Sequence, residues 1–191
     1  MANNHIEIEI KLPLHNPHDV SAFLNSNAKI ISINVFQKDT YFVPQHRDFL
    51  LVQYPFEWLR LRESDKGSFM NYKHFHPENV KETDYCDEHE SKIESADALK
   101  KIFTSLDITE AVVVEKVRTT WGFEEVEIVI DDVKNLGSYI ELEATTNFDD
   151  PKEGKRYLFL VLEKLNAKVG EEELRGYPYR LLENKGYQFG V

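Results

Sequence analysis

Charged side chains recur at alternate positions in several short segments of this chain, and they fall into two sets by sign. On a β-strand, side chains two residues apart point to the same side of the sheet. Glu7, Glu9 and Lys11 would therefore share one face, opposite the isoleucines between them. The same rule brings forward five carboxylates and six cations. The carboxylates are Glu7, Glu9, Asp131, Glu141 and Glu143, and the cations are Lys11, Arg60, Arg62, Lys73, Lys116 and Arg118.

These two sets match the two chemical parts of a metal-bound triphosphate. Clustered carboxylates supply the oxygen ligands that hard divalent cations prefer, and Arg and Lys side chains suit phosphate oxygens. For any single strand, the alternation is equally typical of an ordinary half-buried sheet whose charged face meets water. Both signs recur in pairs on several strands, however, which favours charged faces that point into a common interior.

The overall charge limits which partners can be expected. The 191 residues include 23 Lys and Arg against 34 Asp and Glu, a formal net charge of -11. This charge repels polyphosphate backbones at long range, so we expect neither nucleic acid nor anionic membrane as a partner. The single cysteine, Cys86, cannot form an internal disulfide, and no apolar run approaches the roughly 20 residues of a membrane helix. A cytoplasmic location is expected.

The elements that must position these side chains are mostly strands. Alternation predicts strands over residues 5–12, 29–43, 56–63, 68–76, 80–89, 110–121, 124–133 and 138–146. Helices are predicted over residues 17–25, 96–106, 151–165 and 178–184, with Asn16 and Ser95 as caps of the first two. The pattern predicts a single α+β domain over residues 1–191, a closed antiparallel β-barrel with helices packed outside.

Several segments together resemble one known family. Glu7-Ile8-Glu9-Ile10-Lys11 is similar to the Glu-x-Glu-x-Lys signature of the CYTH superfamily, the triphosphate tunnel metalloenzymes. The family's other motifs follow in its order: Leu59-Arg60-Leu61-Arg62, Tyr72-Lys73, Glu115-Lys116-Val117-Arg118, and the stretch from Asp131 to Glu143. Gln37-Lys38-Asp39-Thr40-Tyr41-Phe42 resembles the CyaB-type, class IV adenylyl cyclases in particular. Those cyclases often show Ser-Tyr near the C-terminus, where this chain has Pro178-Tyr179.

The resemblance implies an eight-stranded tunnel barrel that depends on Mg²⁺ or Mn²⁺. By matching position, Glu9, Asp131, Glu141 and Glu143 would hold the metals, with Glu7 as a direct or water-mediated ligand. The six cations would bind the triphosphate and act as the catalytic groups. A homodimer is a reasonable expectation from the same resemblance.

The resemblance leaves three functions open. An adenylyl cyclase would convert ATP to cyclic AMP and pyrophosphate. A triphosphatase would hydrolyse inorganic triphosphate, thiamine triphosphate or a nucleoside triphosphate. A non-catalytic protein would bind polyphosphate or nucleotide without turnover.

Two further expectations follow from the residues alone. His74, His76, Cys86 and His89 have spacings that match no closed zinc site, so zinc is not expected. If like charges crowd an empty interior, neutralising one of them should leave the protein as stable as before, or slightly more so.

Overall fold

The computed structural model of the protein describes residues 8–148 and 150–190. Its strands are β1 (Glu9–Pro13), β2 (Lys29–Pro44), β3 (Glu57–Ser64), β4 (Gly67–His76), β5 (Tyr85–Ile93), β6 (Ile108–Phe123), β7 (Val126–Val133) and β8 (Gly137–Ala144). Its helices are α1 (Pro17–Asn27), α2 (Ala96–Ser105), α3 (Pro151–Lys164) and α4 (Gly176–Asn184).

The strands form one eight-stranded sheet in the order β1-β8-β7-β6-β2-β3-β4-β5. Pairing is antiparallel between β1 and β8, β7 and β8, β2 and β3, β3 and β4, and β4 and β5. The α+β class and the eight strands are therefore confirmed. Within the described residues the order has two ends, β1 and β5, so the closed barrel that we expected is not shown.

The chain divides into two compact units, each built from several segments. The first unit takes the described residues of Met1–Val35, Val117–Val133 and Gly137–Glu173. The second takes those of Phe36–Lys116, Lys134–Leu136 and Leu174–Val191.

The core of the first unit lies between one face of its strands and two helices. Alternate residues of β1, β7 and β8 are buried, as their apolar spacing predicts, and they pack against α1 and α3. The buried side chains include Ile10, Leu12, Ile128, Ile130, Ile140, Leu142, Val20, Leu24, Leu158, Val161 and Leu162. Each contributes about 1.5–3 kcal/mol by leaving water. The other face of these strands is left for the charged residues.

One hydrophobic cluster of the second unit lies under α2. Phe42, Leu61 and Phe103 are buried, and the Phe42 and Phe103 rings meet edge to face at 5.0 Å. Leu59 and Met70 pack against this cluster from β3 and β4. As in the first unit, a helix covers the apolar face of the strands and leaves the charged face on the other side.

Two local predictions need correction. Asn16 does not cap α1 with its side chain. Its amide instead donates to the carbonyl of Asn166 and accepts from the backbone N–H of Lys168. The fifth strand begins at Tyr85 rather than residue 80, because the strand pairs with β4 only after a loop closed by the bond from Asp84 N–H to the His76 carbonyl.

In the part of the chain that the structure describes, no helix is long and apolar enough to cross a membrane.

Candidate functional site

One face of the strands in the second unit collects cations. Arg60 and Arg62 alternate with Leu59 and Leu61 on β3, and directly opposed residues of neighbouring strands share a face. Lys73 stands opposite Trp58, which has the parity of Arg60, and therefore lies on the same face. Arg60, Arg62 and Lys73 are thus grouped by register.

Asp39 joins this face from β2 and binds two of the cations. It stands directly opposite Arg62 and accepts from it at 2.7 Å through Nε and 2.7 Å through Nη2. The Lys116 Nζ lies 3.8 Å from Oδ2 of the same carboxylate. Asp39 is only 1% exposed. Burial raises its pKa, but the hydrogen bond from Arg62 and the charge of Lys116 outweigh this and hold the pKa below its usual value.

Arg60 is held less tightly than Arg62. Its Nη2 lies 3.7 Å from Glu90 Oε2, which is long for an ion pair. Its Nε is buried and, among the described residues, has no hydrogen-bond partner. Arg60 therefore keeps a donor for which the described residues supply no acceptor.

Lys73 is paired with a carboxylate from β5. Its Nζ lies 3.0 Å from Glu88 Oε2, and the buried Asn71 amide also donates to Glu88. Burial raises the pKa of Glu88, but the charge of Lys73 and its hydrogen bond lower the pKa by more. The pKa of Glu88 is therefore below its ordinary value. Glu88 and Glu90 thus balance the cations of β3 and β4.

Lys116 lies between a carboxylate and an aromatic ring. It is 4% exposed, and its Nζ is 5.1 Å from the centre of the Tyr177 ring on α4. A ring face attracts a cation at this distance. In its buried position Lys116 therefore has two favourable contacts, the Asp39 carboxylate and the Tyr177 ring.

Carboxylates form a row across three strands of the first unit. Glu9 on β1 stands opposite Glu143 on β8, and Glu127 on β7 stands opposite Glu143 from the other side. Opposed residues have Cβ atoms about 4.5–5.5 Å apart, so the three side chains share one patch of the sheet. Glu7, the remaining predicted carboxylate of this segment, lies outside the described residues.

Next to this row, carboxylates and cations alternate. Lys11 stands opposite Glu141, with Nζ 2.9 Å from Oε2. Arg118 donates to both oxygens of Asp131, at 2.8 Å and 2.7 Å, and its Nη2 lies 3.5 Å from Glu141. Asp131 is 1% exposed. Each predicted cation of the first unit is thus placed against a predicted carboxylate.

These pairs shift the pKa values in the first unit. Burial raises the pKa of Glu141, but the charges of Lys11 and Arg118 outweigh burial and lower it to about 2. Burial lowers the pKa of Lys11, but the carboxylates of Glu141 and Glu9 raise it above its ordinary value. Both groups are therefore charged at neutral pH.

The donor set of the first unit fits a hard divalent cation in chemistry but not yet in arrangement. Its carboxylate oxygens are the ligands that Mg²⁺ and Mn²⁺ prefer. Nevertheless, no group of three or more His, Cys, Asp or Glu side chains in the described ranges is set to hold a metal ion. One reason is visible, since Arg118 and Lys11 occupy oxygens of Asp131 and Glu141. Metal binding would require these oxygens to be shared or released.

The two histidines of β4 make other contacts. His74 and His76 stack at 4.3 Å. His74 bonds to Glu78 and His76 to Asp87, each at 3.0 Å.

Several site residues were not singled out from the sequence. Parity could have found Glu127, which shares a face with Asp131, and Asp39, which shares a face with Gln37 and Tyr41. Nothing in the sequence indicates Glu88, Glu90 or Tyr177, because their roles come from strand register and from the contact of α4 with Lys116.

The fold and these two charged faces define the class of protein. The CYTH domain family model matches residues 5–177. The chain therefore belongs to the CYTH domain family, which confirms the resemblance found in the sequence.

The relatives include proteins that carry a cyclase name. A Methanocaldococcus jannaschii protein provisionally named an adenylate cyclase is 32% identical over 162 residues, which cover 85% of this chain and 89% of that protein. A solved Pyrococcus horikoshii protein is 25% identical with a TM-score of 0.74, covering 94% of this chain and 99% of its own.

A third relative shows the fold alone. A Hippeastrum protein, provisionally named an adenylyl cyclase and described as having a dominant triphosphatase activity, is 17% identical with a TM-score of 0.59. The likeness covers 95% of this chain and 96% of the Hippeastrum chain.

Proposed function

We propose that this protein is a metal-dependent enzyme acting on a triphosphate-bearing substrate, and specifically a class IV-type adenylyl cyclase that converts ATP to cyclic AMP and pyrophosphate. The observation that carries the proposal is the cationic face of the second unit, where Arg60 Nε is buried without an acceptor among the described residues. A buried donor left unsatisfied costs about 1–3 kcal/mol. A phosphate oxygen would remove that cost, and the membership in the CYTH family supports this ligand.

The cations would bind the phosphates and stabilise the charge that develops during reaction. The cations proposed for this role are Arg60, Arg62, Lys73, Lys116, Lys11 and Arg118. Preorganised donors of this kind usually make the largest single contribution to catalysis of charged transition states. The carboxylate partners of Arg62, Lys73 and Lys11 would keep these side chains oriented before substrate arrives.

The carboxylates Glu9, Asp131, Glu141 and Glu143 would hold Mg²⁺ or Mn²⁺, with Glu7 as a direct or water-mediated ligand. Metal bound there would lower the pKa of the attacking hydroxyl and neutralise charge on the leaving oxygens. With that chemistry supplied, no side chain of this protein is needed as a dedicated general base. The role of the chain is to hold the phosphates in line with the attacking group.

Cyclase and triphosphatase differ only in which nucleophile meets which phosphorus. In the cyclase, the ribose 3′-hydroxyl attacks the α-phosphorus, its proton is lost, and pyrophosphate leaves. In a triphosphatase, water attacks the terminal phosphorus. The Hippeastrum protein, with its described triphosphatase activity, favours this second candidate through shared fold alone.

Four further features are proposals. A closed barrel and a homodimer are implied by the family resemblance, whereas a single CYTH domain over residues 1–191 and a cytoplasmic location are expected from length, pattern and composition. The family match over residues 5–177 supports the single domain.

Product analysis tests the proposed function. Pure protein is incubated with ATP and Mn²⁺, and separately with inorganic triphosphate and thiamine triphosphate, and the products are resolved by chromatography. Cyclic AMP and pyrophosphate from ATP are the expected result. Release of orthophosphate from any of these three substrates would identify the protein as a triphosphatase and not a cyclase. Binding without turnover would overturn the proposal that the protein is an enzyme.

A further inference from the structure

Asp39 has no assigned role, yet it is the most deeply buried carboxylate of the second unit's charged face. Its exposure is 1%, whereas the side chains of Glu88 and Glu90 are 38% and 46% exposed. A buried carboxylate is retained only where cations and hydrogen bonds compensate for its lost hydration. Asp39 has both, from Arg62 and from Lys116.

The geometry of the Asp39–Arg62 pair determines where the rest of the guanidinium points. Arg62 uses Nε and one hydrogen of Nη2 on the two oxygens of Asp39. A guanidinium has five donors in a rigid planar fork, so the bidentate contact fixes the plane and direction of the whole group. The two residues are also directly opposed on β2 and β3, so backbone register holds the pair in place.

The same carboxylate supports Lys116. This ammonium is buried, and burial favours its neutral form, whereas a nearby carboxylate favours the charged form. Asp39 Oδ2, 3.8 Å away, lies on one side of Lys116, and the Tyr177 ring lies 5.1 Å away. At 3.8 Å this contact is much longer than the two 2.7 Å contacts with Arg62, so Arg62 is the principal partner of Asp39.

We infer that Asp39 is a positioning residue: it orients Arg62 for recognition of phosphate, without itself touching substrate. This inference rests on the proposed function. A carboxylate directed at phosphate would repel it. Asp39 would therefore contribute by orienting Arg62 and not by contacting the phosphate. Such a role differs from that of a metal ligand, which would set the metal requirement of the enzyme.

A double-mutant cycle on kcat/KM tests the inference. Asp39→Asn keeps the shape of the side chain but loses the bidentate acceptor, and we expect kcat/KM to fall about tenfold. Arg62→Ala should fall about 100-fold. If Asp39 acts through Arg62, the double variant should stay within about threefold of Arg62→Ala, and the metal concentration for half-maximal activity should not change.

If kcat/KM of the double variant falls about 1000-fold, the product of the two single losses, the inference is overturned. A rise in kcat/KM in Asp39→Asn would also overturn it. A raised metal requirement would make Asp39 a metal ligand instead. Glu63→Gln is the matched control, since Glu63 is on the opposite face of β3, paired with Lys100 at 2.7 Å, and its loss should leave kcat/KM unchanged.

Two further measurements keep the inference testable if a variant or the proposed function fails. Arg62→Lys keeps the charge but loses the fork, so its kcat/KM should also fall about tenfold even if Asp39→Asn does not fold. Full activity of Arg62→Lys would contradict a positioning role for Asp39.

If the wild-type protein turns over no triphosphate, the proposed function fails, and the same cycle is measured on the Kd of inorganic tripolyphosphate by calorimetry. There, an effect of Asp39→Asn that persists in the Arg62→Ala background would overturn the inference, and one that disappears would support it.

Discussion

Glu141 shows how charge is balanced at the scale of single residues. Its side chain is 14% exposed, it pairs with Lys11 at 2.9 Å, and it lies 3.5 Å from Arg118. Attraction to these two cations outweighs the cost of burial, which is why its pKa falls to about 2. The charges of the first unit therefore stabilise one another, whereas the alternation in the sequence had suggested repulsion between like charges.

This balance predicts a pH-dependent stability. A carboxylate whose pKa is lowered from 4.5 to about 2 on folding contributes stability above pH 4.5 and loses it as pH falls towards 2. Glu141→Gln should lower the free energy of unfolding at pH 7 by on the order of 2–3 kcal/mol. Between pH 4.5 and 2 its stability should change less than that of the wild type.

Chemical denaturation at several pH values measures both effects. Glu153→Gln, an exposed change on α3, serves as the control and should leave the curves unaltered. Equal stability of Glu141→Gln and wild type at pH 7 would mean that the ion pairs contribute nothing.

Residue parity explains how far the site could be predicted. The spacing of Arg60 and Arg62 is enough to place both on one face, because side chains alternate along any strand. Parity does not say which strand lies alongside, so the pairing of Arg62 with Asp39, and of Lys73 with Glu88, could not be predicted. Glu7 remains a prediction.

Helix α3 is the element that supports the strands of the first unit. Its buried face packs on the apolar side of β1 and β8, whose other side carries Lys11 and Glu141. Gly154 allows this close approach, since a Cβ there would come within 2.6 Å of Ile8 Cδ1 and 3.0 Å of the Phe148 ring. A side chain at this point would therefore require Ile8 and Phe148 to move.

Gly154→Ala tests that packing. Alanine favours the helix by roughly 1 kcal/mol over glycine, but overpacking a filled contact typically costs about 1–3 kcal/mol. We expect a net loss of thermal stability, because Phe148 as well as Ile8 must move. Thermal melts measure it, with Glu153→Ala on the same helix as the control. A higher melting temperature for Gly154→Ala would show that the contact of α3 with Ile8 and Phe148 accommodates a methyl group.

Element ends were predictable where a local signal acts alone. Ser95 caps α2 as expected, with its Oγ accepting from the N–H of Ala98. Asn16 can also cap a helix with its side chain, and it precedes α1. Asn166 and Lys168, 150 or more residues away in the sequence, bind this side chain instead. Propensity cannot weigh such distant partners.

Net charge matters at the scale of the whole molecule. At -11 the protein repels free triphosphate at long range. A divalent ion bound to the substrate reduces this repulsion and gives the carboxylates of the first unit a partner. The proposed activity should therefore depend on metal from the first encounter onward.

Chelation tests this dependence. Excess EDTA should abolish turnover, and added Mg²⁺ or Mn²⁺ should restore it. Ca²⁺ should bind and inhibit, because its looser coordination disturbs in-line geometry. Undiminished turnover in EDTA would rule out a metal-dependent reaction.

The central claim is that carboxylates hold metal and cations hold phosphate, and metal-titrated kinetics of two variants test it most directly. Turnover is measured against metal concentration at saturating substrate for wild type, Glu143→Gln, Arg60→Ala and the exposed control Arg156→Ala. Glu143→Gln should need at least about tenfold more metal for half-maximal turnover. Arg60→Ala should keep the wild-type metal response while its kcat/KM falls about 100-fold, equivalent to about 3 kcal/mol. Equal shifts in metal requirement for both variants, in protein shown to be folded, would contradict the account.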